Sequence, residues 1–357
     1  MSESTPKPTL NQVLQTYKTM VWNDENLKDF KQFFESELRP QVSDLNRENK
    51  IVHKKSNVAL IVLFVFLAAE IAVSAILKNP SVLALAFLTF GIFAIYYHFA
   101  ISRQMNKVNA DFKTRILPLI FKFLSPDGYY QPNINFEEFV ESDLLNQLFD
   151  VYTSDPMVET RAEDKFEGKR NKIPFSFCEL DLTKRENTIE RYRDSEGKEQ
   201  TRQKTEVKTV FHGLYMESKF LDSGYNGFTY VIDKLADRPY GINLPQGLEK
   251  VELESPEFNH YFGVFATDQV EARLALQTNL MYELTEFRKN YAGSIDLIIK
   301  PKDINVLLST QKDNFELRGN HDLEEQDTYL SFLIPIDKSL DLIEIINTNR
   351  QDRRFQN

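Results

Sequence analysis

VALIVLFVFLAAEIAVSAILKNPSVLALAFLTFGIFAIYYHFAI, residues 58–101, decides what kind of protein this is. Val58 to Leu77 is 20 residues long with one charge, Glu70, and Val82 to Ile101 is 20 residues long with none. A bilayer core takes about 20 helical residues at ~1.5 Å rise each. Only Lys78-Asn79-Pro80-Ser81 separates the runs, and proline there suits a turn and does not continue a helix. The spacing therefore predicts a two-helix transmembrane hairpin over 57–102. A pair of buried soluble helices would carry a polar face.

The flanks orient it. Arg39, Arg47, Lys50, Lys54 and Lys55 precede the hairpin, and Arg103, Lys107, Lys113 and Arg115 follow it, against Lys78 alone in the connector. The positive-inside rule puts both termini in the cytoplasm and the connector outside. Tyr96 and Tyr97 suit the inner aromatic belt. Glu70 is costly at membrane depth. Such a carboxylate serves a relay or ion path, or bonds a neighbouring helix, in the same chain or a second copy.

Stripes of apolar residues continue on both sides. Leu27, Phe30, Phe34, Leu38, Val42 and Leu45 precede the hairpin, and Met105, Val108, Phe112, Ile116, Leu119 and Phe123 follow it. Their spacing of three and four is close to a coiled-coil seam. It predicts two cytoplasmic helices, within 1–56 and 103–150, that bury each other as a stalk. Pro40 and Pro118 predict kinks in it. A further helix is expected around Leu10, Val13, Leu14, Tyr17 and Val21, with Thr9 as its cap.

Residues 151–350 read differently. KIPFSFCELDL and EVKTVFHGLYMESKF alternate like half-buried strands, around a charged stretch with Asp194-Ser195-Glu196-Gly197 at its middle. That stretch reads as a solvated hairpin tip, with a phosphate- or headgroup-binding arm as the alternative. GFTYVIDK, KVELE, YFGVFAT, SIDLIIK and DINVLLST read as short strands. Asn135–Phe149 reads as one helix, with Asn135 and Glu138 as a capping box. ATDQVEARLAL, capped by Asp268, TNLMYELTEFRKNYAG and 337–349 read as three more. Strands dominate and helices come in blocks, which predicts an α+β head, mainly antiparallel. The polar tail 351–357 is expected to fray.

Several classes of function are excluded or disfavoured. The net charge of −10 speaks against wholesale nucleic-acid binding. The single cysteine, Cys178, fits a reducing compartment and forms no internal disulfide. MSESTPKPTLNQ has no leader layout, so no cleaved signal is expected. No nucleotide-loop, metalloprotease or nucleophile-elbow motif is present, and His53, His98, His212, His260 and His321 have no ligand spacing. Around Gly224 and Gly227, Asp222 and Asn226 suggest a turn with too few oxygens for calcium. No cofactor or metal is expected.

EDKFEGKRNKIPFSFCELDL, VFHGLYMESKF, GYNGFTYVID and, most specifically, VELESPEFNHYFGVFATDQVEARLALQTNLMYEL together resemble the bacterial family DUF3137, a domain of unknown function. The likeness covers roughly residues 50–310, and nothing from about 311 onward is placed by it. It implies a bacterial inner-membrane protein with a hairpin near the N-terminus and an envelope role beside LemA-like membrane proteins. It carries no catalytic residue. Within its sharpest motif, Asp268, Glu271 and Arg273 are a candidate interaction surface. The function expected is therefore a non-enzymatic, membrane-anchored scaffold whose partners are the bilayer, a second copy or an envelope membrane protein. A lipid- or small-ligand-binding head at the inner leaflet, and an oligomeric channel or transporter subunit built on Glu70, are the alternatives.

Overall fold

The computed structural model describes residues 22, 24–77, 83–193, 198–221, 224–310, 315–317 and 322–352. The expected helix around Leu10, the 78–81 connector, the 194–197 hairpin tip, Asp222, His321 and most of the tail lie outside the described residues. The chain divides into two compact units. One comprises 28–120 and 315–329, the other 1–27, 121–314 and 330–357.

The first unit is helical. Its elements are α1 (Asp24–Phe33), α2 (Arg39–Leu77), α3 (Leu83–Tyr96) and α4 (Arg103–Asp111), with α5 (Leu117–Leu124) leaving it. The predicted stripes are its core: Phe30, Phe34, Leu38, Val42 and Leu45 from one side, and Val108, Phe112 and Ile116 from the other, are all buried. Helices α2 and α4 pack on each other.

The prolines do not interrupt this framework sharply. π-Helical turns at Phe34–Leu38 and Phe112–Ile116 end just before Pro40 and Pro118. A proline lacks the N–H of the regular ladder and its ring crowds the carbonyl four residues back. A widened turn absorbs both effects.

Residues 315–317 and 322–329 also pack into this unit, which the sequence did not signal. Phe315, Leu323 and Tyr329 are fully buried, and the Phe34 and Tyr329 rings lie 5.7 Å apart. Two asparagines hold these residues, Asn46 buried and Asn109 half-buried. Asn109 Oδ1 accepts from the Leu317 N–H at 2.9 Å, and Asn46 Oδ1 accepts from the Leu323 N–H at 3.0 Å.

The second unit is a single sheet with helices on it. Its strands are β1 (Tyr129–Asn133), β2 (Val158–Arg170), β3 (Ile173–Arg193), β4 (Glu199–Lys219), β5 (Thr229–Asp233), β6 (Glu249–Lys250), β7 (Phe262–Ala266), β8 (Ile295–Ile299) and β9 (Asp303–Ser309). Their order is β1-β2-β3-β4-β9-β8-β5-β7-β6, and every pairing described is antiparallel. The fold is α+β, as expected. The helices are α6 (Phe136–Phe139), α7 (Ser142–Leu148), α8 (Pro256–Tyr261), α9 (Gln269–Ala275), α10 (Thr278–Asn290) and α11 (Asp327–Asp352).

Three expectations need correction. The predicted 135–149 helix is two short ones, because Val140 and Glu141 are extended between them and Glu141 turns to pair with Lys300. The Asn135 side chain makes no cap bond to the helix backbone, reaching Glu138 Oε1 instead at 3.2 Å. The start of β3 is buried on both faces, not one. Phe166 packs on Phe175 and Phe177, and Phe121 on Phe177 and Phe332, while Cys178, Leu180 and Leu182 pack under α7. The covers come from segments remote in sequence, which local alternation does not register.

From Arg185 outward, apart from the Arg185 N–H that donates to the Met157 carbonyl at 2.7 Å, the β3 and β4 backbones pair only with each other among the described residues, out to Arg193 and Glu199. About nine residues at ~3.4 Å each make a free ribbon about 30 Å long. Glu190 pairs with Arg202 at 2.8 Å and Glu186 with Lys208 at 2.5 Å, so much of its interleaved charge is neutralised across the ribbon.

Between β2 and β3, Asn171 (φ 50°) and Lys172 (φ 71°) form a two-residue turn with both residues left-handed. Asparagine tolerates this, whereas lysine costs ~1 kcal/mol or more there. Lys172→Gly is expected to stabilise the protein by about 1 kcal/mol in denaturant titration, and destabilisation would refute the turn assignment.

Candidate functional site

In the helical unit, α2 and α3 run antiparallel, linked by hydrogen bonds at two levels. The Thr89 hydroxyl donates to Glu70 Oε1 at 2.6 Å, and the Ser56 and Tyr97 hydroxyls are 3.1 Å apart. The second oxygen of Glu70 is enclosed without a partner. Glu70 is thus used within one chain, as a clip between neighbouring helices. Around it the apolar side chains point outward: Ile61, Phe64, Val65, Phe66 and Ile71 on α2, and Leu88, Phe90, Ile92 and Ile95 on α3, are all exposed. Among the described residues one helix, Glu25–Ile76, is long and apolar enough to cross a membrane. Only 6 % of its most apolar stretch is buried. A soluble core helix would be mostly covered.

In the sheet unit the family-like motif is a piece of architecture. Asp268 caps α9, accepting from the Val270 and Glu271 N–H groups at 2.9 and 3.0 Å. Glu271 is only 4 % exposed. Its carboxylate accepts from the Asn226 N–H at 3.2 Å and lies 3.7 Å from Arg350, whose guanidinium covers the Tyr225 ring. It therefore does not contribute to an exterior face, which corrects the surface expected of it. Arg273 is exposed and donates to Gln269 and to the Glu252 carbonyl. The outward residues of this motif are Asp268, Arg273 and the exposed Val270 between them.

Nothing in the sequence pointed to a buried charge cluster around the end of β5. Asp296 on β8 accepts from Arg238 at both oxygens, 2.6 and 2.7 Å, with the two side chains 2 % and 9 % exposed. Asp233 pairs with Arg288 of α10 and accepts from the Leu235 N–H at 2.8 Å. The Asp233 N–H donates to Asp296 at 2.9 Å, joining the two pairs. Burial pushes the Asp296 carboxyl above its usual range, while Arg238 opposes the shift. Asp233 and Arg238 form part of the wall of a cleft of about 440 Å³, which Lys234, Glu252 and Asn259 also line. Perturbed acids in clefts can mark active sites. Here each carboxylate is held by an arginine and accepts a backbone N–H.

A larger hollow of about 680 Å³ lies along β1–β4, with Glu138, Glu167, Lys169, Glu217 and Lys219 on its walls. Burial, then Asp303 and Glu141, pushes Glu217 upward. Among the described residues no group of three or more His, Cys, Asp or Glu is placed to hold a metal ion. Cys178 is fully buried, and burial drives its thiol well up, away from reactive thiolate.

Residues 209–348 match a family model described as "Protein of unknown function (DUF3137)". Over these residues the chain is similar to the DUF3137 family. The match reaches past residue 310, where the sequence likeness stopped, and leaves residues 50–208 uncovered. No curated protein matches the chain. Among solved structures, a crystal structure of the mycobacterial trehalose monomycolate transport factor A, TtfA, is similar at 10 % identity. That likeness covers 62 % of this chain and 85 % of that one, with a TM-score of 0.32.

The matched segment holds β5–β9, about half of β4 and most of α11. Arg170, ahead of it in the sequence, grips α11. It reaches Asp337 and Asp341 at 2.6 Å each and Glu344 at 3.4 Å. The Trp22 indole N–H also donates to Asp337, at 2.6 Å. Lys338 pairs with Glu283 at 2.5 Å and stands 3.8 Å from Asp341. Burial, with Asp337 and Glu344 adding to it, raises the Asp341 carboxyl to about 6, against the pull of Arg170 and Lys338. A carboxyl raised on folding binds its proton more tightly in the folded state. Its contribution is present below the unfolded value near 4 and is lost as pH rises through 6. Asp341→Asn, which mimics the protonated form, is expected to match the parent near pH 4. At pH 7 it should exceed the parent by about 1–2 kcal/mol after allowance for partial exposure. Paired unfolding curves across that range check this, and a variant weaker than the parent at pH 7 would refute it.

Proposed function

We propose that the protein is a non-enzymatic, membrane-anchored scaffold or interaction module of the bacterial inner membrane. Residues 58–77 and 82–101 cross the bilayer as a hairpin, with both termini cytoplasmic. A helical stalk and the α+β domain then form a cytoplasmic body. The observation that carries this reading is the outward-facing apolar surface of both α2 and α3. Their antiparallel run and the Glu70–Thr89 clip support a hairpin built as one unit. Among the described residues no metal-holding cluster is found, and the one cysteine is buried. Its partners are then the bilayer together with a second copy or another envelope membrane protein, and nucleic acid is not among them.

The α9 surface around Asp268, Val270 and Arg273 is the face proposed for such a partner. A photo-crosslinking residue at Val270, introduced into the full chain in native membranes, is expected to trap one recurrent protein adduct. A chain that gives no adduct and turns over a substrate would overturn the scaffold. A Glu70-based channel is disfavoured because one oxygen of the carboxylate is bonded by Thr89 of the same chain and the other is enclosed. Glu70→Gln, which can still accept from Thr89, is expected to restore fully any phenotype of a deletion strain. Failure to restore it would favour transport.

A further inference from the structure

Between residues 49 and 110 the chain has one acid, Glu70, against Lys50, Lys54, Lys55, Lys78, Arg103 and Lys107, within a protein of net charge −10. Four of these cations sit at the stalk end of the apolar helices. Lys54 and Lys55 lie four and three residues before Val58 on α2. Arg103 and Lys107 lie two and six residues after Ile101 on α4. At ~1.5 Å per residue they fall about 3–9 Å from the apolar runs, inside the ~5–8 Å headgroup layer or within side-chain reach of it. Helices α2 and α4 pack together, so the four cations share one end of the bundle.

All four are exposed, and among the described residues none has an ion-pair or hydrogen-bond partner. Several cations elsewhere on the stalk are engaged. Arg39 pairs with Glu35, Arg47 with Asp44, Lys50 with Asp322 and Lys113 with Glu316. The exposed Tyr96 and Phe99 stand beside the unpaired group, and Tyr97 bonds across to Ser56.

We infer that Lys54, Lys55, Arg103 and Lys107 form a collar that binds anionic phospholipid headgroups of the leaflet in which the hairpin sits. The inference rests on the membrane reading proposed above. Juxtamembrane clusters of this size attract anionic lipid by roughly 1 kcal/mol per cation near the surface. The occupant is fixed by complementarity: unpaired positive charge at headgroup depth, beside aromatic side chains, in an otherwise acidic protein. The collar would hold an annulus of anionic lipid and set the depth of the hairpin.

The test uses the full chain in nanodiscs of equal phosphatidylglycerol and phosphatidylcholine, with retained lipids counted by native mass spectrometry. Phosphatidylglycerol is expected to be enriched about tenfold, falling to about twofold or less in Lys54→Gln/Lys55→Gln/Arg103→Gln/Lys107→Gln. The charge-conserving Lys54→Arg/Lys55→Arg/Arg103→Lys/Lys107→Lys variant is expected to keep the preference, and raised salt to weaken it. Equal retention of both lipids, or an unchanged preference in the glutamine variant, overturns the collar. So does enrichment abolished by inorganic phosphate, which would assign the group to a soluble anion. A chain that never enters the nanodisc refutes the membrane reading instead, so the two failures are distinguishable.

Discussion

Replacing Phe66 and Ile92 together by arginine is expected to remove the protein from the membrane fraction. Both positions lie near the middle of their apolar runs, and both side chains point outward, 56 % and 61 % exposed. In a bilayer each arginine at helix centre costs about 3 kcal/mol of insertion, so the pair costs about 6 kcal/mol. Insertion should fall steeply and the chain should aggregate or be degraded. A water-soluble protein predicts the opposite. There, swapping two exposed apolar side chains for arginine touches no packing and improves solubility. Quantitative fractionation therefore separates the two cases by sign as well as by size.

Asp296→Ala carries the largest expected loss within the sheet unit. It strips Arg238 of both its charged bonds and leaves a guanidinium that is 9 % exposed facing Phe149. It also removes the acceptor of the Asp233 N–H. Breaking one partner of a buried pair costs about 3–5 kcal/mol. The double replacement Asp296→Leu/Arg238→Met removes both charges and is expected to recover most of that loss. Denaturant unfolding of the parent, both singles and the double measures the coupling. A single variant losing less than about 1 kcal/mol, or a double no better than the worse single, would show that the network is not the buried pair described.

The sequence was most informative where one physical signal dominates. The three–four spacing of Phe30, Phe34, Leu38 and Val42 reflects burial, which reappears in the structure, and the apolar runs are the stretches whose described side chains mostly face outward. The cap at Asp268 was equally plain, because its chemistry is local. Strand β2 was not visible. Its apolar residues, Val158, Ala162 and Phe166, are spaced by four. A bulge between Glu163 and Phe166, with Asp164 left-handed, breaks the alternation that marks a strand. Helix α11 starts ten residues before the expected Asp337 and runs through Pro335, which reads as a breaker. The pairs formed by Asp233, Arg238, Arg288 and Asp296 were hidden for a different reason. Charged residues default to the surface in a sequence, and partners about 55 to 60 residues apart meet only once the sheet has formed.

The most direct measurement is topology labelling of the intact chain in cells, combined with alkaline carbonate extraction. Cys178 is fully buried and so stays silent to a membrane-impermeant maleimide, which makes single introduced cysteines readable. A cysteine in the 78–81 connector should label from outside, and one at Lys54 or Lys107 should label only after the membrane is opened, with the protein resisting extraction. Release of the folded chain by carbonate, or labelling of the connector and both flanks from the same side, would contradict the account.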